Sequence, residues 1–178
     1  MNVIGITGLM GSGVDTVAKY ISEKYGYAIL HMSDILREMA KKEGLELTRD
    51  NLQNMRKKYG NEFLAEEIVK RIKKNKYNKV IIAAIRRSED YLIPKKEFPE
   101  MKLIFINTDD KIRFERLKKR CRENDPKTFK EFQRQQKNEY KIYDFNKTFS
   151  YADYVIENNG TVDELYKKVD EIMRTLEN

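Results

Sequence analysis

Asn2-Val-Ile-Gly-Ile-Thr-Gly8-Leu-Met-Gly11-Ser-Gly13-Val14-Asp15-Thr16 carries the most information about the fold of this 178-residue chain. The first six residues form a short apolar run with β-branched side chains, the pattern of a buried strand. Glycines cluster next, and then Val17, Ala18 and Ile21 recur at the spacing of one helix face over 15–25. In a strand–glycine turn–helix setting, successive backbone N–H groups can turn inward around a phosphate. The helix N-terminus adds its partial positive charge. Gly8 and Gly13 occupy both glycine positions of the phosphate-loop pattern G-x-x-x-x-G-K-[ST]. Gly8, Met10, Gly11, Ser12, Gly13, Val14, Asp15 and Thr16 are therefore the expected phosphate-binding stretch. The lysine position holds Val14 and the Ser/Thr position Asp15. Valine cannot neutralise β- and γ-phosphates, whereas Asp15 and Thr16 can still serve a Mg2+ ion directly or through water. A turn that merely joins strand to helix is the plainer alternative.

Outward from this stretch, short apolar strands are expected at 27–32, 79–84, 102–107 and 153–157. Between them lie helical patterns at 34–42, from Thr48 onward, at 61–75, across a long basic region at 111–143, and at 161–176. Ser33 is a candidate cap for the helix that follows it, Gly44 its stop, Pro94 and Pro99 mark a loop, and Asn159-Gly160 a turn. Strands alternating with helices predict a single α/β domain with a five-stranded parallel sheet. The stretches 34–78 and 109–150 exceed what a crossover needs. Such insertions lie over the carboxyl ends of the strands, where ligands bind.

Composition bounds the partners. Lys and Arg number 36 against 29 Asp and Glu, a formal net charge of +7 that favours anionic partners. One cysteine, Cys121, excludes an intrachain disulfide and fits a reducing compartment. The longest apolar runs are too short for a membrane-spanning helix, and no basic-then-apolar leader opens the chain, so a cytoplasmic location is expected. His31 is the sole histidine, which excludes a histidine metal cluster.

Asp34 and Arg37 lie one helical turn apart just after the second strand. They read as a general base for an acceptor hydroxyl and a forked ligand for an acceptor phosphate, or as a helix-stabilising carboxylate and a surface arginine. Arg86 and Arg87 follow the third strand, Arg86 the stronger candidate for a ligand crevice. Region 109–150 holds 13 Lys/Arg against 8 Asp/Glu. Arg113, Arg116 and Arg120 are spaced there as one helix face, with Arg122, Arg134 and Lys137 secondary. A phosphate-covering lid, a nucleic-acid patch and a solvated charged helix all share this pattern. Tyr140 and Tyr143 are packing residues or platforms for a base.

These residues resemble the P-loop nucleoside-monophosphate kinase superfamily. They are most similar to an archaeal group that is adenylate-kinase-like or dephospho-coenzyme-A-kinase-like. The resemblance spans nearly the whole chain: the loop, Met32-Ser-Asp-Ile-Leu-Arg37, Ile85-Arg86, Arg113-Phe-Glu-Arg116-Leu-Lys-Lys-Arg120, 125–134 and 152–160. It implies a three-layer α/β/α P-loop NTPase fold. The core would comprise 1–33, 79–108 and 151–178, with a helical acceptor-binding insertion at 34–78 and a basic lid at 109–150. It implies transfer of the γ-phosphoryl group of ATP, with Mg2+ at Asp15 and Thr16, to a nucleoside monophosphate or to dephospho-coenzyme A. Asp34, Arg116 and Arg120 are the implied catalytic residues, Arg37 and Arg86 the acceptor ligands, and Arg113, Arg122 and Arg134 the lid arginines. The chain departs from its relatives at three places. Val14 replaces the loop lysine, Ala83-Ala84 stand where Asp-Gly is common, and Gln135 stands where an aspartate follows the arginine. A nucleotide-binding protein without turnover, a kinase using another cation such as Lys19 or a lid arginine, and a basic nucleic-acid-binding domain are the alternatives.

Overall fold

The computed structural model describes residues 1–60, 62–122 and 125–177. Its elements in chain order are β1 (Asn2–Gly8), α1 (Val14–Tyr25), β2 (Ala28–His31), α2 (Met32–Lys42), α3 (Arg49–Tyr59), α4 (Phe63–Asn75) and β3 (Lys79–Ile85). They continue with α5 (Ser88–Glu97), β4 (Lys102–Asn107), α6 (Asp110–Arg120), α7 (Phe129–Ile142), α8 (Phe145–Phe149), β5 (Tyr154–Glu157) and α9 (Val162–Glu177). The sheet is all parallel in the order β2-β3-β1-β4-β5. The loop-bearing strand is thus central, which is why its run is apolar without a break.

Side-chain alternation divides the core in two. Val3, Val80, Ile82 and Leu103 face a cluster completed by Ile35 and Leu36 of α2, Met55 of α3, Ile68 and Ile72 of α4, and Tyr91 of α5. Ile4, Ile6, Ile81, Ile104 and Ile156 face the other, completed by Val17 and Ile21 of α1 and Leu165, Val169 and Met173 of α9. A strand period of two splits each strand's side chains between two helix layers, and the three-layer architecture follows.

Local chemistry sets several boundaries. Thr48 Oγ1 accepts the Asn51 N–H (3.2 Å) and starts α3. Thr161 and Glu164 form a reciprocal capping box at α9, with bonds of 2.9 and 3.3 Å. Ser33 does not cap α2: His31 is the extended residue before it, and Ser33 Oγ instead accepts from Arg37 (2.9 Å). Pro94 lies inside α5 rather than in a loop. The missing N–H costs one helical bond, but Pro94 is buried, as is Tyr91, which packs into the cluster with Val3, Val80 and Leu103. The predicted helix start at Asn61 lies outside the described residues. The long basic region resolves into α6 and α7, with Cys121 ending α6 in the left-handed conformation at φ 53°. Cys121 is exposed.

One backbone irregularity lies at the carboxyl end of β3. Ile6 pairs with Ala83 but Thr7 pairs with Ile85, so Ala84 bulges out at φ 61°, and Thr7 Oγ1 donates to the Ile85 carbonyl (2.7 Å). An alanine occupies a conformation suited to glycine. Ala84→Gly is expected to raise stability by up to about 1 kcal/mol, and Ala83→Gly, at an ordinary strand position, to lower it by about the same amount. Paired urea titrations check the opposite signs.

Candidate functional site

The segment between β1 and α1 is a tight turn closed by the Ser12 N–H on the Leu9 carbonyl (3.0 Å). Gly11 and Gly13 have φ of 83° and 107°, and a Cβ on Gly13 would come within 2.5 Å of Asn158 Nδ2. Glycine is required there by both conformation and space. Two of the loop's carbonyls are engaged by other parts of the fold. Met10 O accepts from Arg113 (3.1 Å), and Ser12 O accepts from Thr108 Oγ1 (3.0 Å) and Asn158 Nδ2 (2.7 Å). The first-turn N–H groups of Val14, Asp15 and Thr16 precede the first helical bond, which runs from Val17 N–H to Gly13 O. Carbonyls engaged elsewhere and first-turn N–H groups ahead of the first helical bond are the parts from which an anion cradle is built. Ser12 Oγ is buried beside it without a partner.

Val14 is turned into the core with Ile4, Ile6 and Val17 and is 9% exposed. Asp15 and Thr16 are exposed on the first turn of α1. No cluster of three or more His, Cys, Asp or Glu exists among the described residues. Magnesium needs none, because it keeps several waters and takes one or two carboxylates plus substrate phosphates. A carboxylate and a hydroxyl beside an anion cradle are hard oxygen donors that fit it. Lys19 is remote in character: it is highly exposed and pairs with Glu23 at 3.6 Å.

The remaining candidates separate into four settings. Arg37 is half exposed on α2 and donates to Asp34 (2.7 Å) and Ser33, so acid and arginine engage each other. Arg86 donates to Glu139 on α7 (3.2 Å) and lies over the Tyr143 ring at 5.3 Å. Arg87 and Arg56 lie on the same ring at 5.2 and 5.6 Å, so three guanidinium groups surround Tyr143. This ring is buried and packs against cations instead of presenting a platform for a base; Tyr140 is the exposed one. One terminal nitrogen of Arg56 donates to both Asp90 oxygens (2.6 and 2.7 Å), and Asp90 also accepts the N–H groups of Arg86 and Arg87 (3.2 and 3.1 Å). Arg56 and Arg87 each keep a buried Nε without a partner.

The α6 arginines diverge instead of presenting one charged face. Arg113 is 2% exposed and works beneath the loop. Arg116 donates to the Asn158 carbonyl (3.0 Å), keeps one buried unpartnered nitrogen, and has its pKa lowered by burial. It borders a groove of about 410 Å³ lined by Lys111, Ile112, Glu115 and Lys119. Arg120 grips Asp125 (2.9 and 2.5 Å) and holds that carboxyl below its usual range. Arg122 and Arg134 are exposed, and Gln135 Oε1 is buried without a partner. Sequence reading did not single out Arg56, Asp90, Thr108 or Asn158. Asp90 alone had a local signal, an acid in the first turn of a helix.

An all-parallel sheet in this strand order, with a glycine loop running from its central strand into a helix, is the P-loop kinase class of fold. Residues 7–133 match the family model described as AAA domain. The chain belongs to the UPF0200 family. It is 32% identical to the UPF0200 protein of Methanothermobacter thermautotrophicus, covering 99% of this chain and 91% of that one. It is 34% identical to that of Methanocaldococcus jannaschii, covering 100% and 92%. Among solved structures, shikimate kinase from Bacteroides thetaiotaomicron superposes with a TM-score of 0.67 at 18% identity, covering 99% and 98% of the two chains. A gluconokinase from Sinorhizobium meliloti gives 0.62 at 16%, covering 99% and 94%. These likenesses are of fold.

Proposed function

We propose that this protein is a small-molecule kinase that binds a nucleoside triphosphate on the Gly8–Gly13 loop and passes its γ-phosphoryl group to a small anionic acceptor. The observation that carries this reading is the pair of anion-seeking features at the carboxyl ends of neighbouring strands. The N–H cradle follows β1, and the arginine cluster around Tyr143 follows β3. Phosphoryl transfer is mostly positioning and charge stabilisation, so a fold with these two features has the necessary parts.

In this reading the cradle orients the donor phosphates, and Asp15 and Thr16 would hold Mg2+, which would supply charge neutralisation there. The groove beside Arg116 takes the nucleoside end. Arg37 and Arg86 hold the acceptor, with Arg87 and Arg56 adding charge behind it. An acceptor oxygen bonds to the γ-phosphorus as the bond to the β-phosphate oxygen breaks. Where the acceptor is a hydroxyl, Asp34 takes its proton after leaving Arg37. Arg120 and the exposed Arg122 and Arg134 complete the lid. Nucleoside monophosphates and dephospho-coenzyme A are the two acceptor classes to separate.

A second reading, nucleotide binding without turnover, is favoured by one observation: Val14 is packed in the core, and no lysine approaches the loop from that position. A nucleic-acid surface is disfavoured because Arg113, Arg116 and Arg120 turn to three different partners and do not form one exposed charged face. ATP-dependent transfer assayed across a panel of nucleoside monophosphates and dephospho-coenzyme A tests the proposal. Transfer to one class is expected. ATP binding with no product from any acceptor would replace it by the second reading, and no ATP binding would end both.

A further inference from the structure

Arg113 stands out as a cation that the proposed chemistry does not use. It is buried at 2% exposure, yet its guanidinium donates to four residues. Its Nε donates to the carbonyl of Thr108, just after β4 (3.2 Å), and one terminal nitrogen to the Met10 carbonyl in the loop (3.1 Å). The other terminal nitrogen donates to Asp110 (2.6 Å) and to Gln136 Oε1 on α7. Gln136 Nε2 closes the circuit on Asp110 (2.9 Å), and the Phe132 ring of α7 stacks on the guanidinium at 4.9 Å. Helix α6 also lies directly on the loop. A Cβ on Gly11 would meet the Arg113 carbonyl at 2.9 Å and Leu117 Cγ at 3.1 Å. Met10 packs into the small cluster of Phe114, Leu117 and Phe132.

We infer that Arg113 is a positioning residue that makes the anion-binding form of the loop and the docked form of α7 one state. The physical reason is the Met10 carbonyl. It belongs to the same peptide as the Gly11 N–H, and if it swings toward the mouth, a repelling oxygen replaces an attracting N–H. Arg113 holds that carbonyl away with one arm and α7 with the other. Undocking α7 removes the Gln136 acceptor, leaves a buried guanidinium N–H unpaired, and loosens the grip on Met10. Coupling is reciprocal, so an anion that selects the inverted loop also favours docked α7. The ligand side of this inference rests on the phosphate-binding reading of the loop; the loop-to-helix link does not.

Gln136→Asn shortens the α7 arm out of reach, whereas Gln136→Glu keeps an acceptor for the guanidinium but replaces the donor to Asp110 by a second carboxylate. Arg113→Lys is a further variant that keeps the charge but cannot span four acceptors. Two readouts apply to the full chain: amide exchange at Ser12 and over 129–142, and affinity for inorganic tripolyphosphate. Without ligand, Gln136→Asn and Arg113→Lys are expected to speed Ser12 exchange by about fivefold or more, with Gln136→Glu between them and the unmodified protein. With tripolyphosphate, exchange over 129–142 slows in the unmodified protein and in Gln136→Glu. The other two variants bind it about fivefold or more weakly and lose that response. Unchanged exchange and affinity in Gln136→Asn overturns the inference. Tripolyphosphate that fails to bind the unmodified protein overturns the kinase reading and the ligand side, and the Ser12 exchange then decides the link alone.

Discussion

Asp90→Ala is expected to destabilise the protein by about 3–5 kcal/mol and to lower its melting temperature by roughly 6–20 °C. Asp90 is fully buried and accepts four hydrogen bonds, two from Arg56 and two from the backbone N–H groups of Arg86 and Arg87. Alanine leaves a guanidinium at 7% exposure without its counter-charge, and two N–H groups without an acceptor, at the start of α5. The loss is that of breaking a buried pair, which exceeds what the pair contributes over an apolar replacement. Arg56→Leu combined with Asp90→Asn is therefore expected to recover a large part of it, because asparagine still accepts from the Arg86 and Arg87 N–H groups and no charge remains to be paired. Thermal melts of the single and double variants check this. A drop under about 1 kcal/mol for Asp90→Ala would mean that Arg56 finds another partner or water. The same variants report on function, because Asp90 braces the backbone that carries Arg86.

Val14→Lys is expected to strengthen ATP binding and any phosphoryl transfer by about 10–100-fold, equivalent to roughly 1.4–2.8 kcal/mol for one charge-assisted contact. The expected cost is about 1–2 kcal/mol of stability, since most of a valine side chain leaves the cluster around Ile4 and Ile6. The opposite signs make the result diagnostic. Calorimetric ATP affinity and the transfer assay rise while the melting temperature falls if the loop is an intact cradle that lacks only its cation. Affinity that stays flat while stability falls would mean that another group already fills the lysine's place at the phosphates. Arg120, at the end of the helix that lies on the loop, is the residue to replace next.

Much of the fold was legible because the sheet is covered on both faces. Unbroken apolar runs at β1, β3 and β4 and helix-period patterns between them are strong local signals, and all five strands lie where they were expected. Where local signals misled, tertiary packing outweighed them. Pro94 reads as a breaker, yet it lies buried inside α5. Ser33 reads as a cap, yet α2 begins one residue before it. Ala83-Ala84 reads as a lost Asp-Gly, and only the paired register shows that the backbone still takes glycine's left-handed conformation at Ala84.

By itself, the sequence determined the strand–loop–helix unit, the parallel α/β architecture and the presence of arginines after β2 and β3 and along α6. Each depends on neighbours within a few residues, where spacing maps directly onto a face or a turn. Tertiary structure alone decided what the arginines do. Arg113, Arg116 and Arg120 share a spacing that reads as one charged face. One is buried under Met10, one leans on Asn158 and one grips Asp125. Arg56 and Asp90 are 34 residues apart and carried no mark of their pairing. A guanidinium on a flexible stem takes its role from whichever carboxylates, carbonyls and rings the fold brings within reach, and those partners come from distant elements.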